Sequence, residues 1–117
     1  MSYQIKVTSE GISIEHFETQ TLESLQAFVK GFIEVAPPQF RDENITVVCN
    51  EEGKILGLPV TAVSDIEVFN GSLFICSSDH ESEDGVEFVA LDKAQVLQVF
   101  ETLGFPHKNP SASFPED

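Results

Sequence analysis

The clearest strand in the sequence is Ile45-Thr46-Val47-Val48-Cys49, an apolar run rich in β-branched residues, which fit a pleated sheet. The next four residues, Asn50-Glu51-Glu52-Gly53, are typical of a turn, and Gly53 is free to take a positive φ. Lys54-Ile55-Leu56 is therefore predicted to return as the partner strand. Gly57-Leu58-Pro59 ends that partner, because proline cannot donate to a sheet ladder.

Alternating apolar residues predict two further hairpins. Residues 3–18 alternate on both sides of a Ser9-Glu10-Gly11 turn. Residues 65–76 alternate on both sides of Asn70-Gly71, a pair that suits a two-residue type I′ turn. A short helical turn that ends at Asn70 is the alternative for this second region.

Two helices are indicated by apolar residues at spacings of three and four. The first is predicted over residues 22–30, with Thr21 as its N-cap and Gly31 as its stop. The second begins at Asp92, where Asp92-Lys93-Ala94-Gln95 resembles a capping box, and Gly104 closes it. The predicted buried faces are Leu22, Leu25, Phe28, Val29 and Phe32 in the first helix, and Val96, Val99, Phe100 and Leu103 in the second.

Short strands at Phe32–Val35 and Val86–Leu91 complete the predicted order β-β-α-β-β-β-β-β-β-α. This order favours an α+β domain whose antiparallel sheet carries both helices on one face. The chain has 117 residues and is 41% hydrophobic, which is enough for one core. We therefore expect a single domain over residues 1–105 and a loosely ordered tail over residues 106–117.

The charge of the chain is unusual, because twenty Asp and Glu residues oppose six Lys and Arg residues, giving a formal net charge of −14. Such an excess of carboxylates opposes direct binding to nucleic acid or anionic lipid. No stretch approaches the roughly 18 apolar residues of a membrane helix, and the first residues lack the pattern of a signal peptide. Three explanations of the charge stay open: solubility alone, a salt-adapted proteome, or an anionic surface that meets a basic partner. We expect a cytoplasmic protein whose partner is another protein, with a basic partner as one alternative.

Two motifs resemble a known family. The first joins Leu22-Glu23-Ser24-Leu25-Gln26 to Val29-Lys30-Gly31-Phe32-Ile33-Glu34-Val35, and the second joins Val48-Cys49-Asn50-Glu51-Glu52-Gly53-Lys54 to Leu56-Gly57-Leu58-Pro59. Their order and spacing resemble the domain of unknown function 3846 family, small proteins of phages, plasmids and bacterial chromosomes. The similarity spans residues 22–88, and the chain departs from the pattern at Pro37-Pro38-Gln39-Phe40 and in its acidic loop. The resemblance implies no reaction, cofactor or catalytic residue.

Candidate contact residues fall on two loops. The corner after the clearest strand is one, because loops held by a rigid sheet often carry function; turn chemistry alone is the alternative. The acidic loop over residues 77–85 is the other, but it fails as an EF-hand, which from Asp79 needs Gly and Glu where the chain has Asp84 and Ala90. A loose calcium contact or a solvated loop both stay open. The residues singled out are Asn50, Glu51, Gly57, Leu58, Pro59, Asp79, Glu81, Glu83 and Asp84.

Patterns of catalysis and metal binding are missing from the sequence. The three histidines are scattered, and neither cysteine has a second cysteine close by. Cys49 is predicted to be a buried, protonated thiol. There is no nucleophile elbow and no glycine-rich phosphate loop. No catalytic residue, metal or cofactor is therefore expected.

Three functions stay open. The first is a non-enzymatic binding or accessory protein of mobile-element origin. The second is an inhibitor that presents a DNA-like acidic face to a basic DNA-binding protein or nuclease, with Glu15, Glu18, Glu87 and the acidic loop in one row; B-DNA carries one negative charge per about 1.7 Å. The third, the least favoured, is an enzyme or metal-dependent switch. Carboxylates gathered in an elongated row would support the second function, and an even scatter would oppose it.

Overall fold

The computed structural model describes residues 1–79, 87–106 and 112–116. Within these ranges the α+β class is confirmed, as is an antiparallel sheet with two helices. The strands are β1 (Tyr3–Thr8), β2 (Gly11–His16), β3 (Ile33–Val35), β4 (Ile45–Asn50), β5 (Val60–Val63), β6 (Val68–Asn70), β7 (Leu73–Asp79) and β8 (Glu87–Val89). The helices are α1 (Leu22–Val29), between β2 and β3, and α2 (Lys93–Thr102), after β8.

The main sheet is arranged around β7, which pairs with three strands. β4 runs antiparallel to β7 on one side. On the other side β1 pairs with the first half of β7, and β8 pairs with its last residues. β2 pairs with β1, and β3 pairs with β4, so the order across the sheet is β2-β1-β7-β4-β3. β3 is therefore an outer strand.

Both faces of the main sheet are covered by other parts of the chain. Alternate side chains of β4 and β7 point to opposite faces, and each set packs in a separate core. Val47 and Ile75 face a larger core, which α2 joins through Val96 and Val99 and which also contains buried residues of β5 and β6. On the opposite face, the smaller core contains Leu25 of α1 together with Val48, Phe74 and Cys76.

The predicted placement of both helices on one face is therefore corrected: α1 and α2 lie on opposite faces of the sheet. The sequence contains the reason. β4 and the first half of β7 are apolar at consecutive positions rather than at alternate ones, and such runs are typical of strands buried on both faces.

Both helices begin where the sequence predicts. Thr21 caps α1 and Asp92 caps α2, and each forms a capping box with the residue three positions on. The helix ends differ from the prediction. Lys30, not Gly31, takes the left-handed conformation after α1, with φ 63°, and Gly104 exchanges backbone hydrogen bonds with Val63 instead of capping α2.

Two predicted strand pairings are wrong. Residues 54–56 form turns rather than the partner of β4, and the next strand, β5, pairs with β6 in a separate two-stranded sheet. The 65–76 hairpin also fails, because β6 and β7 belong to different sheets. Gly71 has φ +86°, but Asn70 has no positive φ, so the I′ turn, which needs both, does not form. The observed strand pairings depend on tertiary contacts, which a local sequence pattern does not contain.

The described residues of the tail contact β1, β2 and α2. The Phe114 ring packs edge-on against Tyr3, with ring centroids 4.9 Å apart, and the Lys93 ammonium lies 5.2 Å from the centre of the Phe114 ring. His16 Nε2 lies 3.0 Å from the Glu116 carbonyl oxygen. The division into a 1–105 domain and a loosely ordered tail stays a prediction.

Helix α1 provides a direct test of how it packs, because the sequence predicts two buried leucines and the structure buries one. Leu25 is 2% exposed and Leu22 is 58% exposed. We expect Leu25→Ala to lower the free energy of unfolding by about 2 to 5 kcal/mol, because it leaves a cavity in the smaller core. Leu22→Ala should change it by no more than about 0.5 kcal/mol. Urea unfolding measures both, and equal costs would contradict the packing described.

Candidate functional site

The corner that follows β4 is a compact series of turns. The Gly53 amide donates to the Asn50 carbonyl at 3.2 Å, the Leu56 amide to Glu52 at 2.8 Å, and the Leu58 amide to Gly53 at 3.0 Å. Gly57 takes φ +68° with open space around it, a conformation that side chains with a Cβ disfavour. The predicted turn after Asn50 is confirmed, and it continues as further turns instead of returning as a strand.

Asn50 holds the corner to the end of α1. Its side chain is buried, its Nδ2 donates to the Val29 carbonyl at 3.0 Å, and its Oδ1 accepts from the Glu52 amide at 2.7 Å. Gly31 leaves room for this contact, because a Cβ there would lie 2.7 Å from Asn50 Nδ2. The buried Asn50 side chain therefore connects the start of the corner to the end of α1.

The far side of the corner is held by the connection between β6 and β7. Asn70 Nδ2 donates to the Leu58 carbonyl at 2.8 Å, and the Gly71 amide donates to the Pro59 carbonyl at 2.8 Å. Gly53 also lies against this connection, since a Cβ there would be 2.7 Å from the Asn70 carbonyl oxygen. The corner is thus fixed at both ends.

A cavity of about 210 Å³ opens between the corner, β3, β4 and β6. Glu34, Cys49, Ile55 and Val68 are among the residues that line it. Lys54, the only basic residue among residues 50–59, also lines the cavity, and its Nζ lies 2.5 Å from Glu67 Oε1. We use the term acidic corner for residues 50–59 together with Glu34, Glu67 and Val68.

Charge at the acidic corner is partly compensated. The hydrogen bond from Lys54 holds the pKa of Glu67 below its ordinary value, so this carboxylate is ionised at neutral pH. Within the described ranges, neither Glu34 nor Glu51 has a basic group at ion-pair distance. These two carboxylates therefore leave a net negative charge around the mouth of the cavity.

The thiol in the cavity is unreactive. Burial raises the pKa of Cys49 to about 11, and the carboxylates of Glu34 and Glu67 contribute to the rise. Burial also raises the pKa of Cys76, to about 12. Because the thiolate is the nucleophilic form, both cysteines are protonated and inert at neutral pH, as the sequence indicated for Cys49.

Exposed apolar side chains gather around the acidic corner. In the described part of the chain, nine large apolar residues are exposed, and six of them lie in the segments 32–35, 55–56 and 66–68. Ile55 is the most exposed of these, at 84%. The six are Phe32, Val35, Ile55, Leu56, Ile66 and Val68, and of these Val35 points to the face of the sheet opposite the cavity. Sequence reasoning missed Ile55 and Leu56 because it assigned them to a strand.

The residues predicted from the sequence form two separate groups. Glu51, Gly57 and Pro59 are exposed on the corner, while Leu58 is half-buried. Asp79 lies at the other end of β7, about 20 Å away for a strand of this length. Glu81, Glu83 and Asp84 lie outside the described residues, and so does most of the acidic loop.

The structure bears on two further ideas from the sequence, a metal site and a DNA-like row of carboxylates. Among the described residues, no group of three His, Cys, Asp or Glu side chains could hold a metal ion. Glu15, one member of the proposed DNA-like row, lies 3.3 Å from Lys6 Nζ and accepts hydrogen bonds from Gln4 and Ser13. The Glu15 carboxylate therefore interacts with groups of its own domain.

Neither described helix has the length and hydropathy to cross a bilayer.

Asn50 gives a test of how the corner is held. We expect Asn50→Ala to lower the free energy of unfolding by about 1 to 3 kcal/mol, because the Val29 carbonyl and the Glu52 amide lose their partner. Asn44→Ala is the matched control, since Asn44 is exposed and should cost no more than about 0.5 kcal/mol. Chemical unfolding compares the two, and equal costs would show that the Asn50 side chain does not hold the corner.

Comparison with known proteins identifies one family. The family described as Domain of unknown function (DUF3846) matches residues 4–104, which extends the resemblance noted over residues 22–88 in both directions. No curated protein and no solved structure matches the chain. Since the match covers well over half of the 117 residues, the chain belongs to the DUF3846 family.

Proposed function

We propose that this domain is a non-enzymatic protein-binding module and that its partner contacts the acidic corner. The observation that carries the proposal is the concentration of exposed apolar side chains there, with Ile55 and Val68 at the mouth of the cavity. Single exposed apolar residues are normal on a soluble domain, whereas a large group of them rimmed by polar residues marks a site of interaction. An apolar centre with a polar rim is also the usual arrangement of a protein interface.

The charges around the patch favour a basic partner. Glu34, Glu51 and Glu52 are exposed beside the apolar residues, and the whole chain carries a formal charge of −14. Complementary charge speeds the encounter of two proteins and suppresses wrong partners. Because exposed charges are screened by salt, the complex should weaken as ionic strength rises.

The chemistry of the cavity supports binding rather than catalysis. Cys49 is protonated at neutral pH, and Glu67 is ionised and hydrogen-bonded to Lys54. A general acid or base works best with a pKa near the operating pH, and neither group meets that condition. An accessory role in a mobile element, in keeping with the family resemblance, and a cytoplasmic location complete the proposal.

Ile55 supplies the test. A photo-crosslinking amino acid at position 55 should capture the partner from a lysate of the source cells, and the identified partner is then purified for binding measurements. We expect Ile55→Ser to weaken that complex at least about tenfold, because a residue at the centre of an interface contributes most to affinity. Affinity should also fall as salt is raised from about 0.05 to 0.5 M.

Leu97 is the matched control, because it is another exposed apolar residue, 51% exposed on α2. Leu97→Ser should leave affinity within about twofold, since it lies outside the proposed surface. Both variants should retain the wild-type free energy of unfolding within about 0.5 kcal/mol. A partner whose affinity falls equally with both substitutions, or with neither, would contradict the proposed surface.

A further inference from the structure

The outer edge of β3 has unpaired backbone groups within the described structure. The Glu51 amide donates to the Phe32 carbonyl, and the Ala36 amide donates to the Val47 carbonyl, both at 3.0 Å. In an antiparallel ladder hydrogen-bonded pairs alternate with non-bonded pairs, so Glu34 bonds with Cys49. The amides and carbonyls of Ile33 and Val35 therefore point away from β4.

The side chains of β3 add chemical character to this edge. Glu34 is paired with Cys49 and so points to the face that carries the cavity, whereas Val35 is paired with Val48 and points to the opposite face. Both Glu34 and Val35 are exposed. The edge thus offers a carboxylate on one face and an apolar surface on the other.

A second copy of this chain fits the edge poorly. Antiparallel pairing of two β3 strands about their central residue would place Glu34 opposite the Glu34 of the other copy, and like charges directly opposite are destabilising. The formal charge of −14 on each copy adds repulsion. Pro37 and Pro38 follow the strand and limit the length of any pairing.

We propose that an extended segment of the partner protein adds to β3 as a further strand, with a basic side chain opposite Glu34 and apolar side chains opposite Ile33 and Val35. Strand addition supplies affinity through main-chain hydrogen bonds and specificity through alternate side chains. This inference rests on the proposed function, because it names the kind of partner that the acidic corner binds.

The register places the basic side chain on the face of the sheet that carries the cavity. A residue paired with Glu34 shares its face, where Glu51, which has no basic group at ion-pair distance among the described residues, also lines the cavity. Cys49, the residue of β4 that pairs with Glu34, lines the same cavity and so confirms that this face of β3 is the cavity face. A lysine or arginine at this position of the partner therefore meets negative charge from more than one residue.

Synthetic peptides test the backbone contact. The probe is a blocked peptide of alternating valine and lysine, and its binding is measured by fluorescence anisotropy. Two N-methylated forms are compared, each with methyl groups on alternate amides. Only the amides that face β3 donate to the sheet, so one form should lose binding at least about tenfold, while the other keeps it. Equal effects of the two sets, or no binding of the parent peptide, would overturn strand addition.

Charge reversal tests the side-chain contact. A peptide of alternating valine and glutamate should bind the wild-type domain at least about tenfold more weakly than the lysine peptide. Glu34→Lys should reverse that preference. Glu10→Lys is the matched control, because Glu10 is exposed in the turn between β1 and β2, near the edge of the sheet opposite β3. This variant should keep the preference for the lysine peptide. An unchanged preference in Glu34→Lys would overturn the assigned register.

The two proposals fail in different ways. If crosslinking and Ile55→Ser locate the partner at the acidic corner, but the peptides do not bind or the methylated forms behave alike, the protein-binding function stands and strand addition is wrong. If the purified partner is insensitive to Ile55→Ser, the proposed function itself is wrong, whatever the peptides do.

Discussion

Burial of β7 on both of its faces is the constraint on which the rest of the structure depends. Leu73 and Ile75 lie in the core with α2, Phe74 and Cys76 lie in the core with α1, and all four are at most 1% exposed. Each fully buried large apolar side chain stabilises the fold by about 1.5 to 3 kcal/mol. A shift of one residue would exchange the two sets of side chains, so the register of β7 against its neighbours is strongly specified.

That register also determines where the sheet ends. β4 pairs with one edge of β7, and β3 pairs with the other edge of β4. The sheet therefore ends at a short strand, β3, beside the acidic corner. The two cores use most of the large apolar residues, yet six of them stay exposed in the segments 32–35, 55–56 and 66–68, with Val35 on the face of the sheet opposite the cavity. Their position beside unpaired backbone and uncompensated carboxylates connects the fold to the proposed partner.

Local signals in the sequence predicted local structure well. The N-cap at Thr21, the capping box at Asp92 and the strand of β4 depend on neighbouring residues alone, and they are confirmed. The pairing of β5 with β6 and the turns around Ile55 depend on contacts distant in sequence, such as Asn70 with Leu58, and they were missed. Of the candidate site, the corner was located from its motif, but its apolar surface was hidden by the strand assignment.

Amide hydrogen exchange in the free protein tests the central claim most directly, because protection follows hydrogen bonding in the folded state. The account predicts that the amides of β7 exchange slowest, and that within β3 the Glu34 amide is protected while the amides of Ile33 and Val35 exchange rapidly. Equal protection of all three β3 amides would show that the outer edge is already covered, and would contradict an open edge prepared for a partner.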